Sequence, residues 1–407
     1  MAARLVHAPL SPAEARERVL ERAVRTPAER VQLGDALGRV LAEDVASRDD
    51  VPGFDNSAMD GFALRAADTV SAGVSAPVQL RLAGESRAGA PYGARLEAGE
   101  AVRISTGAKL PAGGDAVLRV EDALEEDGAL IVTRPLEPGA EVRHAGEDIR
   151  AGEVVLRAGA RIGPAELGVA ASTGADALAC ARRPRVAIVV TGDELVDPGV
   201  PLPDGAIRNT NGYALPAQVT SAGAAVASVR TVGDDYAQTV TVLRDALGAD
   251  VTVTTGGVSV GAHDHVKPAL AELGVSEVFW GVALRPGHPT WFGTAGRGLV
   301  FGLPGNPVSA MVTFHLFVRP ALGRMLGADA RERRVSGVMD VDYPKRPGRA
   351  HVVRCALEAL ADGWHVRPTK AQGSHVLTSM LGAEALAHIE MERGDVRAGE
   401  TVEIEIL

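Results

Sequence analysis

Between residues 11 and 48, apolar side chains recur at helical spacing with charged residues between them, which predicts helix. The pattern changes near residue 51. From about 51 to 145 the chain runs in short alternations, among them Val78–Leu82, Glu100–Ile104 and Ala116–Val120, broken by Gly and Pro. Period-two patterning with turn punctuation predicts a small β-rich domain. Residues 164–180 (PAELGVAASTGADALAC) return to a helical pattern.

A new region begins at RRPRVAIVVTGDEL, where Val186–Val190 is continuously apolar. Further runs follow at Ala224–Val232, Val251–Thr255 and Val278–Leu284, with helical segments between them. Strand–helix alternation with largely apolar strands predicts a parallel sheet covered on both faces, here over about 181–325. From 331 to 407 the chain is again short strands and turns, as at His351–Leu357, Trp364–Arg367 and Thr401–Ile406, which predicts a small β-barrel or sandwich. There is no internal repeat and no low-complexity linker.

Composition adds limits. The 407 residues suit two to four domains, and 46% hydrophobic with 23% charged residues is globular. A formal net charge of -10 argues against a nucleic-acid partner but leaves room for a small anion held by a few local cations. The two cysteines, Cys180 and Cys355, form no zinc spacing and suit a reducing compartment. Ser11, Pro12 and Glu14 form a helix-capping signature in a segment too charged for an export signal. No apolar run approaches the length of a membrane span. A cytoplasmic protein with neither membrane nor nucleic-acid partner is expected.

In open α/β sheets, ligands sit outside the carboxyl ends of the strands. Four loops fall there. TGDEL carries Thr191 and Gly192; TTGGVSVGAHDHVK carries Gly256, Gly257, Ser259, Gly261, Asp264 and Lys267. RPGHP carries Arg285 and His288; LPGNPVSA carries Pro304, Asn306 and Ser309. Glycines before a helix let backbone N–H groups approach an anion, although GGVSVG is neither a Walker A motif nor a dinucleotide fingerprint and reads equally as a plain turn. Asn306 before Pro307 reads as an N-cap, and helix-start chemistry alone explains it. Asp60, Asp148, Asp193, Glu194, Asp234, Asp235 and Asp264 lie in loop-like positions. Each alone reads as a cap or solvated turn residue; together they offer oxygen ligands for Mg²⁺. Lys267, Arg285 and Lys370 suit a phosphate or oxyanion, or are solvated surface cations. His263, His265 and His288 lack zinc-ligand spacing, and Ser259 and Ser309 lack a visible triad. In VPGFDNSAMDGFAL (51–64), polar turn-formers alternate with Phe54, Met59 and Phe62. That stretch is either an ordered surface turn or a loop held rigid to present Asp60.

Read in order, VPGFDNSAMDGFAL, STGAKLPAGGDAVLRVED, HAGEDI, TGDEL, TTGGVSVGAHDHVK, LPGNPVSA and QGSHVLTS resemble the molybdopterin molybdenumtransferases, the MoeA family that includes the gephyrin E domain. The resemblance spans nearly the whole chain. It implies a multidomain α/β plus β fold. Residues 1–50 and 140–180 would form a discontinuous helical/extended dimerisation region, and 51–139 an inserted β-domain. Residues 181–328 would form a three-layer α/β domain resembling the molybdopterin adenylyltransferases, and 329–407 a C-terminal β-barrel. A homodimer is implied.

The implied activity is the last step of molybdenum cofactor synthesis: adenylylated molybdopterin is hydrolysed with Mg²⁺, AMP leaves, and molybdate supplies the metal to the dithiolene. Asp60, Asp148, Glu194, Asp234 and Asp264 fall on the family's catalytic acidic positions, with Asp60, Asp234 and Asp264 as implied Mg²⁺ ligands and Asp60 presented across the dimer. Thr191, Gly192, Gly256, Gly257, Ser259, Gly261, Lys267, Arg285, His288, Pro304, Asn306, Ser309, Arg354 and Ser374 fall on implied substrate-binding positions. His288 and Gly281 stand where family members carry lysines. Transient contact with a molybdopterin adenylyltransferase and with client molybdoenzymes is implied as well. An adenylyltransferase, or a non-catalytic pterin-binding scaffold, remain alternative readings.

Overall fold

The computed structural model describes residues 8–257, 264–328 and 334–407. Helix α1 (Pro12–Leu20) starts with the expected capping box: Ser11 Oγ accepts from the Glu14 amide at 3.2 Å, and Glu14 Oε2 accepts from the Ser11 amide at 3.0 Å. Its buried Ala15 and Val19 join the core of the α/β domain.

The helical pattern expected as far as residue 48 stops at Leu20. Ala28–Gln32 is instead a strand, β1, which pairs antiparallel with Ala177–Ala181, so that Ala28 faces Ala181. The second helix of the pattern is also shorter than expected, Pro164–Ser172 (α2), because Gly174 turns the chain at φ +78°. A left-handed residue ends a helix, and glycine takes that conformation without a Cβ clash. The ladder partner of β1 lies about 150 residues away, beyond the reach of local periodicity. Val31, Leu41, Ile162, Leu178 and Cys180 close a small core from both segments.

Between those segments lies a six-stranded sheet. Gly61–Leu64 (β2) sits between Ala116–Arg119 and Glu100–Ile104, and Val78–Ser86 and Ala129–Val132 extend the sheet toward Leu124–Glu126. Phe62, Leu64, Leu80, Leu118 and Leu130 fill its core.

In the α/β domain, Arg185–Thr191 (β3) lies between Ala225–Val232 (β4) and Val251–Thr255 (β5), with Gly298–Leu303 (β6) beyond, all parallel. The sheet is mixed, not purely parallel: Trp291–Ala295 pairs antiparallel with β6, and Ser276–Trp280 pairs antiparallel with Trp291–Ala295. A tight turn at 296–297 makes a hairpin there, and hairpins impose antiparallel pairing. Alternate residues of β3 face opposite layers. Ile188 and Val190 pack with Phe314, Phe317 and Leu322 of the helical stretch 307–326; Ala187 and Val189 pack with Val240, Leu243 and Leu270. The run expected as one strand at Val278–Leu284 is split, and Leu284–Arg285 leaves the sheet to pair with Ala350–His351.

The last segment closes on itself. Ala350–Leu360 (β7), Gly363–Pro368, Arg334–Met339, Thr401–Ile406 (β9) and Ala385–Ile389 (β8) form a ring, since β8 pairs back with β7. Val353, Cys355, Ala387 and Ile404 point into the barrel, while Val352 and Leu386 point out and join the α/β core. Both cysteines are free and buried, and burial pushes the Cys355 thiol up to about 12, so it stays protonated and unreactive. Among the described residues, no helix is long and apolar enough to cross a membrane.

Phe292 is fully buried with Phe279 and Phe301 at ring distances of 5.6 and 4.9 Å. Phe292→Ala should cost ~3–5 kcal/mol, measurable by urea denaturation followed through the domain's tryptophans. A loss below ~1 kcal/mol would show that the aromatic stack is not what holds this sheet.

Candidate active site at the carboxyl edge of the sheet

Strands β3, β5 and β6 end together, at Thr191, Thr255 and Leu303. The loops that follow enclose a cavity of about 510 Å³, into which Thr191, Gly192, Gly256, Gly257, Pro304 and Asn306 all project, together with Glu194, Asp234 and Asp264. Gly256 has φ +87°, and a Cβ there would stand 2.7 Å from the Thr191 carbonyl oxygen. Only glycine lets the two loops close at this spacing.

The neighbouring aspartates separate into two roles. Asp193 Oδ1 accepts from the Asp234 amide at 3.0 Å, and Asp235 caps Tyr236–Ala246 by accepting from the Gln238 amide at 2.7 Å. Those two are structural, whereas Glu194 and Asp234 are left at the cavity.

Sequence reasoning missed Asn211. Its Nδ2 donates to Thr255 Oγ1 at 2.9 Å and to the Gly305 carbonyl at 2.8 Å, while the Thr255 hydroxyl donates to the Pro304 carbonyl at 2.9 Å. Because carbonyls only accept, this fixes which way the Asn211 amide points. Asn211 Oδ1 is buried with no partner among the described residues, a cost of ~1–3 kcal/mol for an unmade bond. The signal available was the NTNG stretch ahead of a helical pattern, which marks a helix start and no more.

Asp60 and Asp148 are elsewhere in the chain. Asp60 Oδ1 accepts from the Thr106 amide at 2.7 Å and from its hydroxyl at 3.1 Å, on the exposed surface of the β-domain. The loop before it is pinned, with the Asp55 carboxylate accepting from the Ala145 amide at 2.8 Å and the Val51 amide donating to Ile149 at 2.7 Å. Thr106, in STGAKL, is a second residue the sequence reading missed. Asp148 is exposed on the turn where its amide donates to Val51 at 3.0 Å. Neither lines the cavity. Among the described residues, no three His, Cys, Asp or Glu side chains converge as a metal cluster. Ser259 and Gly261 lie outside the described residues.

Of the remaining candidates, Asn306 and Arg285 meet the barrel. Asn306 is the N-cap residue of Pro307–Thr313, but its side chain makes no capping bond; its Nδ2 donates across the seam to Ser374 Oγ at 3.1 Å. Ser309 is buried in that helix. Arg285 is exposed where Leu284–Arg285 joins the barrel, close enough for its charge to act on Tyr343 and His351. His288 Nδ1 lies 2.8 Å from the Val282 carbonyl, so that nitrogen carries the proton and a neutral ring leaves Nε2 as an acceptor. Lys267 stacks its ammonium 4.8 Å from the Trp280 ring centre, and the same indole meets His288 edge-on.

Arg354 is 0% exposed. Its Nε and Nη2 donate to Ser379 Oγ at 3.1 and 3.0 Å, and Nη2 reaches the Gly373 carbonyl at 3.4 Å. Ser379, the last residue of QGSHVLTS, was also missed. Burial lowers the guanidinium pKa from its usual value. A buried cation whose hydrogen bonds go to neutral oxygens is costly unless an anion joins it.

Fold and cavity thus define a multidomain protein whose α/β domain carries an acidic, glycine-walled cavity against a C-terminal barrel. The sequence profile of the MoeA N-terminal region (domain I and II) matches residues 10–174, that of a probable molybdopterin binding domain matches 187–324, and that of the MoeA C-terminal region (domain IV) matches 336–407. The chain belongs to the MoeA family. It is 36% identical over 398 residues to the molybdopterin molybdenumtransferase of Haemophilus influenzae, covering 96% of this chain and 97% of that one. It is 38% identical to molybdopterin molybdenumtransferase 2 of Mycobacterium tuberculosis, covering 92% and 94%. The crystal structure of the molybdopterin biosynthesis MoeA protein from Pyrococcus horikoshii superposes with a TM-score of 0.85 at 31% identity, covering 98% of this chain and all of that one. The MoeA family is one of transferases in molybdenum cofactor biosynthesis.

Two predictions come from this geometry. His351 is 5% exposed, and burial, then the charges of Arg285, Lys345 and Arg349, push its pKa down to about 4. The unfolded chain binds that proton near pH 6.5, so stability from this residue is present above 6.5 and drains away as pH falls toward 4, by on the order of 3 kcal/mol. Melting temperatures across that window should fall less steeply in His351→Gln; parallel profiles would assign the acid sensitivity to another group. Gly256→Ala should displace the Thr191 loop and weaken binding of a molybdopterin ligand at least ~10-fold, with a ligand-free melting temperature within a few degrees of the parent. Unchanged affinity would remove this backbone from the binding wall.

Proposed function

We propose that this chain releases AMP from adenylylated molybdopterin in the presence of molybdate and Mg²⁺, and places molybdenum on the dithiolene sulfurs. The observation that carries this reading is the continuity of two half-sites. A cavity with Glu194, Asp234 and Asp264 is joined through the Asn306–Ser374 bond to a buried Arg354 with neutral partners.

In this reading the Gly256–Gly257 backbone approaches a phosphate of the ligand, where side chains would hold it off. Asp234 and Asp264, with Glu194 beside them, suit Mg²⁺, which takes one or two carboxylates with waters and substrate phosphate oxygens and would neutralise the pyrophosphate charge as its bond breaks. The pterin-bearing half then lies along the seam. Arg354 and Arg285 attract the tetrahedral oxyanion and the Ser374 hydroxyl donates to it, while Ser379, whose own proton goes to the Val376 carbonyl at 2.6 Å, holds Arg354, and His288 stands in the same loop as Arg285. Water attacks the pyrophosphate, its oxygen joining one phosphorus as that P–O bond breaks and AMP leaves; at the dithiolene, one molybdate oxygen departs as water with the two thiol protons as the two Mo–S bonds form.

Asp60 does not line this cavity in its own chain, so in this reading it acts from a second subunit. In a homodimer, the partner's Asp60 faces the cavity, and the Thr106 hydrogen bonds hold the carboxylate in place. In the same reading Asp148, which also lies outside the cavity of its own chain, would contribute from the second subunit. We place the protein in the cytoplasm, in transient contact with an adenylyltransferase upstream and client molybdoenzymes downstream. Three acidic side chains at one cavity weigh against a pure scaffold.

AMP release from adenylylated molybdopterin by purified protein with Mg²⁺ should depend on molybdate and drop ~100-fold or more in Asp264→Ala. ATP consumption with free molybdopterin would instead make it an adenylyltransferase. Co-assembly of Asp60→Ala with Asp264→Ala chains tests the shared site. Random pairing gives half heterodimers, each with one intact site, so about a quarter of parental activity should return. No return would put Asp60 in cis or outside the site. His288→Lys should keep activity and lower the molybdate needed, because an ammonium is a permanent cation; a large loss would exclude an oxyanion role there.

A further inference from the structure

The barrel strands carry Arg354, Leu386 and Glu405 directly opposite one another: Arg354 faces Leu386 from β7 to β8, and Leu386 faces Glu405 from β8 to β9. Directly opposed residues of antiparallel strands project from the same face. The neighbouring row, Val353, Ala387 and Ile404, points into the barrel, so the first row points out. Leu386 is packed in the α/β core with Phe314 and Phe317. One outward row therefore docks the barrel on the helix, with Arg354 on one side of the apolar anchor and Glu405 on the other.

At its end of the row, Glu405 is gripped from the helix. Its Oε1 lies 2.9 Å from His315 Nε2 and 3.5 Å from Arg319 Nη1, while the barrel's own His388 stands 3.6 Å from Oε2. The Glu405 side chain is 12% exposed and that of His315 is 11% exposed. His315 sits on a single π-helical turn, Phe314–Val318, between Pro307–Thr313 and Arg319–Leu326. Such wide turns inside a helix re-aim side chains and recur at functional sites. Arg16 of α1 and Arg334 of the barrel also act electrostatically here, and Arg334 bonds Glu403 at 2.6 Å. Burial opposes charge on Glu405, yet hydrogen bonding to His315 and His388 holds its carboxyl well below the usual range.

We propose that Glu405, held by His315 and Arg319, is a positioning residue that sets the pose of the barrel on the α/β helix and thereby aims Arg354 at the oxyanion. The proposal rests on the reading of Arg354 given above. Arg354 cannot correct its own aim by rotating: it is fully buried and fixed by Ser379 and Gly373 within the barrel. Its direction follows from the barrel as a rigid body, and small errors in placement cost much at a site built on geometry. The Glu405 grip is the polar lock opposite Arg354 across the Leu386 pivot.

The test is a double-mutant cycle on molybdate-dependent AMP release. Glu405→Gln should raise the molybdate concentration for half-maximal release ~10-fold, with kcat and the KM for adenylylated molybdopterin within ~2-fold of the parent. In an Arg354→Ala background, Glu405→Gln should add less than ~2-fold, because its effect passes through Arg354. His315→Leu should reproduce Glu405→Gln, and His315→Gln, which keeps an N–H donor at similar reach, should restore the parental molybdate requirement. Additive effects in the cycle, or equal losses in both KM values, would reduce Glu405 to a structural contact and overturn the proposal. An Arg354→Ala chain with an unchanged molybdate requirement would overturn the reading of Arg354 itself, and the proposal with it.

Discussion

Parallel strands impose a constraint that the rest of this molecule obeys: each must be followed by a crossover, so every loop that leaves a carboxyl end leaves from the same edge. Thr191, Thr255 and Leu303 end three such strands side by side. The loops after them have nowhere to go but toward one another, and a glycine at 256 lets them meet at backbone distance. Burial on both faces of the sheet makes this edge rigid. Ile188 and Val190 are fixed against one helical layer, and Ala187 and Val189 against the other. The cavity is therefore a consequence of strand geometry before it is a collection of polar residues.

The second organising feature is the seam between that domain and the barrel. Its anchor is apolar: Val352 and Leu386 enter the α/β core with Phe314 and Phe317. Its polar groups are arranged at the margins, where Asn306 meets Ser374, and Glu405 meets His315. A buried arginine with neutral partners at such a seam is poorly explained as a stabilising element, since its desolvation is uncompensated. An anionic ligand reaching the seam would supply the missing charge.

An acidic protein that handles anions has to manage its own field. The formal net charge is -10, and three carboxylates face the cavity itself. Screening limits the general repulsion to roughly a Debye length of 8 Å at physiological salt. Inside that distance the local groups decide. Carboxylates beside a phosphate need cations to offset them, and Arg208 lines the same cavity as Glu194, Asp234 and Asp264.

Much of this was legible in the sequence because it is local. The apolar run at Val186–Val190 needed only its own composition to be read as a buried strand, Ser11 and Glu14 needed only each other to cap a helix, and the ordered motifs placed the chain in its family. The strand at Ala28–Gln32 was not legible, since its partner at Ala177–Ala181 is distant in sequence. Nor was the use of Asn306, whose side chain leaves its own helix to bond Ser374, 68 residues on. Ser379 and Asn211 are ordinary polar residues until folding sets one against a buried guanidinium and the other against Thr255 and Gly305. By itself the sequence determined the buried strands of the α/β domain, the helix starts, the loops that bear chemistry and the acidic set, because these follow from periods of two and 3.6 and from residue types. The tertiary structure alone decided that Glu194, Asp234 and Asp264 share a cavity while Asp60 does not. It also decided that Arg354 is buried against neutral oxygens, because contacts between distant segments depend on strand register and packing, which local patterns do not encode.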